Sequence, residues 1–99
     1  MNQTQKIKQA VAKIDTQKIA LYSEEYPKSK TLKQIIRYKE RILNSNNDEE
    51  VFKLAVDLAY NLDLICDEEK TGYVKEEKEK QHWLELSQEI FENTQGSKK

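Results

Sequence analysis

The sequence contains only two glycines, one proline, one cysteine and one histidine in 99 residues. So few turn-forming residues argue against a sheet of many short strands. A single cysteine cannot form a disulfide within the chain, and with one histidine it cannot complete a structural zinc site. No Gly-rich phosphate loop is present, and nothing orients Cys66 and His82 as a catalytic pair. We therefore predict no enzymatic activity, no metal and no cofactor.

Long apolar runs are also missing. Lys53, Asp57, Asn61 and Asp63 interrupt the most apolar segment, so no membrane-spanning helix is predicted. The N-terminal segment is amphipathic and lacks the apolar centre of a signal peptide. With 36% hydrophobic and 35% charged residues, the chain is expected to form one cytoplasmic helical domain over residues 1–99. Cys66 is expected to be a small buried hydrophobic residue.

Hydrophobic periodicity predicts four helices. They cover about residues 4–22, 29–43, 48–66 and 73–93, and a disordered tail is expected over 94–99. The apolar stripe of the first helix includes Leu21, but Lys18 falls on it and Ile19 off it, so a break near Asp15 and Thr16 remains an alternative. The expected fold class is all-α, as an antiparallel up-down four-helix bundle.

The third predicted helix is the most apolar and is expected at the centre of the core. Its apolar arc widens to about 200° through Phe52, Val56 and Ala59, so the helix must contact neighbours on more than one side. Ser29 and Asn47 are predicted N-caps of the second and third helices. The fourth helix has an apolar face only from Trp83 onward, so its charged first half is expected to protrude.

An acidic connection, CDEEKTGYVKEEKEKQHW, joins the third and fourth helices. Read from Asp67, it matches several positions of an EF-hand calcium loop, but position 12 is Lys78 where a bidentate glutamate is required. We therefore interpret it as a helix-to-helix turn in which Gly72 supplies a positive φ or a helix stop.

Charge is divided unevenly along the chain. Residues 1–45 carry ten Lys and Arg against four Asp and Glu, while residues 46–99 carry seven against fourteen. The two halves either pack against each other or present separate basic and acidic faces to partners. A basic face is predicted on the second helix, formed by Lys30, Lys33, Arg37 and Arg41. Nucleic-acid binding by this face is disfavoured, because the acidic second half would repel the same polyanion.

A second candidate surface lies around the start of the fourth helix. Its predicted partner-binding residues are Tyr73, Lys75, Lys78, His82 and Trp83. Large aromatic side chains are enriched at interfaces, but Trp83 shares a helix face with Leu86 and Ile90. Whether Trp83 belongs to the core or to the interface is left open by the sequence.

The stretch TLKQIIRYKERILNSNNDEEVFKLAVDLAYNLDL is similar to the second and third helices of the immunity proteins of pediocin-like bacteriocins, the enterocin A immunity group. The stretch EKQHWLELSQEIF is similar to the fourth helix of that family. The resemblance covers about residues 5–92 and is one of size, helix layout and lysine content, without a sharp motif.

The resemblance implies a cytosolic four-helix bundle of a Gram-positive bacterium that protects its cell from a bacteriocin. Members of the family act from the inner membrane face on a mannose phosphotransferase membrane component with bound bacteriocin. The C-terminal half of the family largely sets which bacteriocin is recognised. The lysine-rich first half would suit peripheral contact with an anionic membrane. The alternative is a small phage or plasmid accessory protein that binds nucleic acid or a protein through the basic face.

Overall fold

The computed structural model describes residues 2–95, which form five α-helices and no strand. The helices are α1 (Gln3–Ala12), α2 (Thr16–Glu25), α3 (Lys30–Asn44), α4 (Asp48–Cys66) and α5 (Glu77–Gln95). The expected all-helical fold is therefore confirmed. The number of helices in the described part of the chain is five rather than four, because the predicted first helix is divided.

The division between α1 and α2 is built from polar contacts at residues 13–16. The Asp15 side chain accepts a hydrogen bond from the backbone N–H of Lys18 at 3.2 Å and so caps α2. Lys39 of α3 donates from Nζ to the Ile14 carbonyl at 2.6 Å and to the Thr16 hydroxyl at 2.9 Å. These contacts satisfy polar groups that a helix break leaves without intrahelical partners.

The break also changes which side chains of the second segment reach the core. Ile19, which lies off the continuous apolar stripe, is fully buried. Leu21, which lies on that stripe, is 60% exposed. The prediction that Leu21 belongs to the buried face is therefore wrong, because α2 starts a new helical register after Asp15.

Side-chain caps begin α3 and α4 where the sequence predicts them. Ser29 Oγ accepts from the backbone N–H of Leu32 at 3.2 Å, and Asn47 Oδ1 accepts from that of Glu50 at 3.0 Å. The Glu50 carboxylate does not return to the Asn47 backbone as in a complete capping box. It accepts instead from the Ser45 hydroxyl at 2.7 Å and from Arg41 at 3.0 Å, and both contacts lower the pKa of Glu50.

The acidic connection is a hydrogen-bonded turn. Asp67 Oδ1 accepts from the backbone N–H groups of Glu69 and Lys70 at 2.9 and 3.2 Å, and Thr71 donates its hydroxyl to the Leu64 carbonyl at 2.6 Å. Gly72 has φ +61°, the first of the two roles predicted for it, and its N–H donates to the Asp67 carbonyl at 2.9 Å. The turn thus reverses the chain after α4, and the Asp67 carboxylate is used within it.

The segment after this turn does not protrude, and that prediction is wrong. Val74 donates its N–H to the Ile65 carbonyl at 3.1 Å and is 1% exposed. The helix then begins at Glu77 rather than at residue 73, and Lys80 in its first turn is buried. Buried Val74 and Lys80 therefore help to attach the charged segment to the core. Residues 94 and 95 of the predicted tail lie within α5, and residues 96–99 lie outside the described residues.

α4 packs against both α3 and α5, and α1 contacts all three. α4 and α5 are antiparallel, since Ala59 is paired with Ser87 and Cys66 with Lys80. Large fully buried side chains from every helix meet between them, including Ile7, Ile19, Leu32, Leu58 and Trp83. Over residues 2–95, no helix has both the length and the hydrophobicity needed to cross a membrane.

Candidate functional site: a groove between α4 and α5

An open apolar groove lies between α4 and α5, with a volume of about 660 Å³. Val56 and Tyr60 of α4 line one side and are 40% and 59% exposed. Leu84 and Phe91 of α5 line the other side and are 43% and 44% exposed. Because these exposed apolar side chains are contiguous rather than scattered, the groove is a candidate interaction surface.

Two small residues form the floor of the groove. Ser87 is 3% exposed and donates its hydroxyl to the Ala59 carbonyl at 2.8 Å, and Ala59 itself is 4% exposed. Small side chains at facing positions allow two helix backbones to come close together. The larger side chains on either side then stand above this contact as walls, so the floor contact produces the groove.

Within the described part of the chain, the two charged side chains that line the groove are acidic. Asp63 and Glu92 are exposed, and neither forms an ion pair with another residue of 2–95. Asp63 lies four residues beyond Ala59 on α4, and Glu92 lies five residues beyond Ser87 on α5. Because the helices are antiparallel and rise about 1.5 Å per residue, the two carboxylates are about 13 Å apart along the groove, towards opposite ends.

Sequence reasoning did not identify this groove as a site. Periodicity correctly gave α4 an unusually wide apolar arc that includes Val56, but it did not single out Tyr60. The arc is wide because part of it faces outward into the groove. The sequence does contain a signal for the groove. Ala59 and Ser87 are small, and the apolar positions beside them on α4 and α5 are more numerous than the core can cover.

The predicted partner-binding residues are only partly brought together. Lys78, His82 and Trp83 border a shallow depression of about 240 Å³ with Lys18 and Glu79. Within it, Lys78 and His82 are exposed. The other two predicted residues lie apart from this depression. Tyr73 packs on Tyr26 with ring centroids 4.5 Å apart, and Lys75 is an exposed side chain ahead of α5.

Trp83 lies in the core rather than on this surface. It is 1% exposed, and its Nε1 donates to the Tyr22 hydroxyl at 3.4 Å. His82 packs against the Trp83 ring edge to face, with centroids 4.8 Å apart. Trp83 therefore lies beneath the depression, and its ring is not available for direct contact with a partner.

A hydrogen-bonded network links α2 to α5 beside this depression. The Tyr22 hydroxyl donates to Glu79, which also forms an ion pair with Lys18 at 3.0 Å. Burial of the Tyr22 hydroxyl, together with this hydrogen bond, raises the pKa of Tyr22 to about 12. The same hydrogen bond and the ion pair lower the pKa of Glu79. One oxygen of the Glu79 carboxylate is engaged by Tyr22 and the other by Lys18.

Cys66 and Lys80 form the other notable polar contact of the interior. The Lys80 ammonium pairs with Glu68, which lowers the pKa of that carboxyl and raises that of Lys80. The Cys66 thiol donates weakly to the Lys80 carbonyl at 3.8 Å, and burial raises its pKa to about 11. A nucleophilic cysteine requires the opposite shift, towards the thiolate. In residues 2–95, no three His, Cys, Asp or Glu side chains are grouped so that they could hold a metal ion.

The predicted basic face lies on the outer side of α3. Lys30, Lys33 and Arg37 are exposed and form no ion pair with the described residues. Arg41 is exposed as well, but it pairs with Glu50 at 3.0 Å. The four residues extend about 16 Å along the helix. Three of them therefore remain available to an anionic surface, and the fourth is partly neutralised.

Comparisons with protein-family models, with curated proteins and with solved structures give no match.

Proposed function

We propose that this chain is a non-enzymatic binding protein that confers immunity to a pediocin-like bacteriocin. The single observation that carries the binding role is the α4–α5 groove, in which Val56, Tyr60, Leu84 and Phe91 expose apolar surface around a closed floor. Leaving such surface in water is unfavourable unless a partner covers it. The sequence resemblance to the enterocin A immunity group supplies the more specific assignment to bacteriocin immunity.

In this proposal the protein acts in the cytosol of a Gram-positive cell, at the inner face of the membrane. The groove engages the mannose phosphotransferase component that carries the bacteriocin. Lys30, Lys33 and Arg37 on the outer side of α3 favour peripheral contact with anionic lipid, because they are exposed and unpaired within residues 2–95. Each role is assigned to a separate surface of the molecule.

The proposed relationship to the enterocin A immunity group also implies how the five helices are arranged. α1 and α2 are joined by only three residues, and Lys39 holds the junction against α3. We infer that α1 and α2 act together as one broken arm of an antiparallel up-down bundle. The five helices then correspond to the four arms that the resemblance implies.

Expression of the chain in a bacteriocin-sensitive strain tests the proposal. The strain is challenged with a broad panel of pediocin-like peptides, and survival is compared with that of a strain carrying the empty vector. We expect protection against at least one peptide of the panel. Equal sensitivity of the two strains to every peptide, with the protein present at readily detected levels, contradicts the proposed function.

The exposed basic face supports one other candidate function, a phage or plasmid accessory protein that binds nucleic acid or a protein through α3. Binding of this kind must weaken steeply as salt rises, because phosphate contacts release counterions. Binding of random-sequence DNA that is unchanged between low and moderate salt, or that persists in a Lys30→Glu/Lys33→Glu variant, contradicts this candidate.

A further inference from the structure

From the shape and charge of the α4–α5 groove, we infer that its occupant is a cationic amphipathic helix of the partner, with basic residues on either side of an apolar stripe. The inference rests on the proposed function only in taking the groove as the partner site. It adds the chemical class of the segment that binds there.

The shape of the groove favours a helix. Two antiparallel helices form its walls, and Ser87 and Ala59 close its floor, so the opening is a linear channel parallel to the helix axes. An amphipathic helix places apolar anchors at intervals of three and four residues, and this arrangement fills a linear groove. Val56 and Phe91 lie near one end, and Tyr60 and Leu84 lie nearer the other. Two successive turns of an incoming helix would each meet one such pair.

The acidic charge of the groove indicates that its ligand is positively charged. Asp63 and Glu92 stand about 13 Å apart along the axis, and no basic side chain of residues 2–95 lines the groove between them. Within residues 2–95, the Gln88 amide donates to Glu92 at 3.0 Å, and neither carboxylate forms an ion pair. Basic residues two to three turns apart on an incoming helix would reach both carboxylates. An acidic helix would meet repulsion at both ends of the channel.

The same charges argue against a second copy of this chain as the occupant. In a two-fold symmetric dimer the same surface is used by both copies, so the acidic groove of one would face that of the other. Like charges placed together at an interface are unfavourable. The four residues that follow Gln95 in the sequence, GSKK, include no large apolar side chain and so do not supply the stripe that the groove requires.

Fluorescence anisotropy with two synthetic peptides tests the inference on the purified full chain. Both peptides are about 18 residues long, because shorter isolated helices are marginal in water. Both carry the same leucine stripe, and the polar face is lysine in one and glutamate in the other. We expect the wild-type protein to bind the lysine peptide about tenfold more tightly than the glutamate peptide, as two rim charge pairs would give.

Charge-reversal variants establish where the peptide binds. Asp63→Lys/Glu92→Lys is expected to reverse the preference, so that the glutamate peptide binds more tightly. Glu24→Lys/Glu69→Lys makes the same change in net charge at exposed positions outside the groove and is expected to leave the preference unchanged. Leu84→Ala/Phe91→Ala is expected to weaken both peptides. Circular dichroism establishes that each variant is folded.

Three results would overturn the inference: no preference in the wild type, equal loss of preference in both charge-reversal variants, or a wild-type dimer that Leu84→Asp dissociates in sedimentation. The last would identify a second copy as the occupant. These failures are separable from failure of the proposed immunity function, because the peptides are tested on purified protein without cells or bacteriocin.

Discussion

Ser87 donates a hydrogen bond of 2.8 Å to the main-chain carbonyl of Ala59, and this contact holds α5 against α4. Both residues are almost completely buried at the floor of the groove. The close approach at this point leaves Val56 and Phe91 exposed above it, although both lie on apolar faces. This hydrogen-bonded contact therefore forms the floor of the apolar groove.

The contribution of this contact is measurable with a matched pair of variants. Ser87→Ala removes a satisfied buried hydroxyl and is expected to lower the free energy of unfolding by about 1 kcal/mol. Ser23 Oγ is buried without a hydrogen-bond partner in residues 2–95. Ser23→Ala is therefore expected to raise the free energy of unfolding. Both substitutions replace serine by alanine within a helix, so both variants gain the same helix propensity and the comparison is unaffected by it. Urea denaturation gives both values, and equal shifts in the two variants would contradict the assigned roles.

The turn after α4 depends on the backbone of Gly72. A Cβ added there would meet only the Glu68 carbonyl oxygen at 3.5 Å, which is an ordinary contact, so the cost of substitution comes from φ +61° itself. We expect Gly72→Ala to destabilise the protein by about 1–2 kcal/mol in thermal or urea unfolding. Asparagine tolerates the left-handed region better, so Gly72→Asn is expected to cost less. The reverse order would show that backbone conformation is not the cause.

Tyr22 is expected to make the protein sensitive to alkali. Its pKa is raised from 10.0 to about 12 in the folded state, so the folded protein holds this proton more tightly than the unfolded chain does. The resulting stabilisation is complete below pH 10 and is lost progressively as the pH rises to about 12. Near-ultraviolet tyrosinate absorbance of the wild type minus that of Tyr22→Phe should titrate near the upper value. A difference curve centred near pH 10 would contradict the burial and hydrogen bonding of this hydroxyl.

Cys66 is expected to react slowly with thiol reagents in the folded protein. It is 8% exposed, and burial raises its pKa to about 11, so little thiolate is present near neutral pH. Modification by a chromogenic disulfide reagent at mildly alkaline pH should be much slower than in denaturant. The unfolded chain serves as the control, because it carries the same single cysteine. Equal rates in both states would show that the Cys66 thiol is accessible.

Local features of the fold were predictable from the sequence because their causes are local. The third predicted helix, over 48–66, is α4 with the same bounds, since Asn47 caps its start and the Asp67 turn ends it. The positive φ of Gly72 followed from glycine's freedom in that turn. The break before α2 was an open alternative, and it is stabilised by Lys39, which is distant in sequence.

The candidate site was not predictable in the same way, because it depends on how two helices meet. Periodicity places Leu84 and Val56 on apolar faces, but it does not show whether another helix covers them. Lys80 is buried and pairs with Glu68 of the preceding turn, a contact that helical periodicity does not predict. Trp83 could be assigned to the core or to an interface from sequence, and the structure buries it, with a hydrogen bond to Tyr22 of α2.

The most direct test of the central claim compares two exposed leucines in the bacteriocin-protection assay. Leu84 lies in the groove and is 43% exposed, while Leu21 lies on α2 outside the groove and is 60% exposed. Leu84→Asp and Leu21→Asp make the same chemical change at the surface of a helix. We predict that the wild type and Leu21→Asp protect a sensitive strain, whereas folded Leu84→Asp does not. Protection by Leu84→Asp equal to that of the wild type would contradict the assignment of the groove as the functional surface.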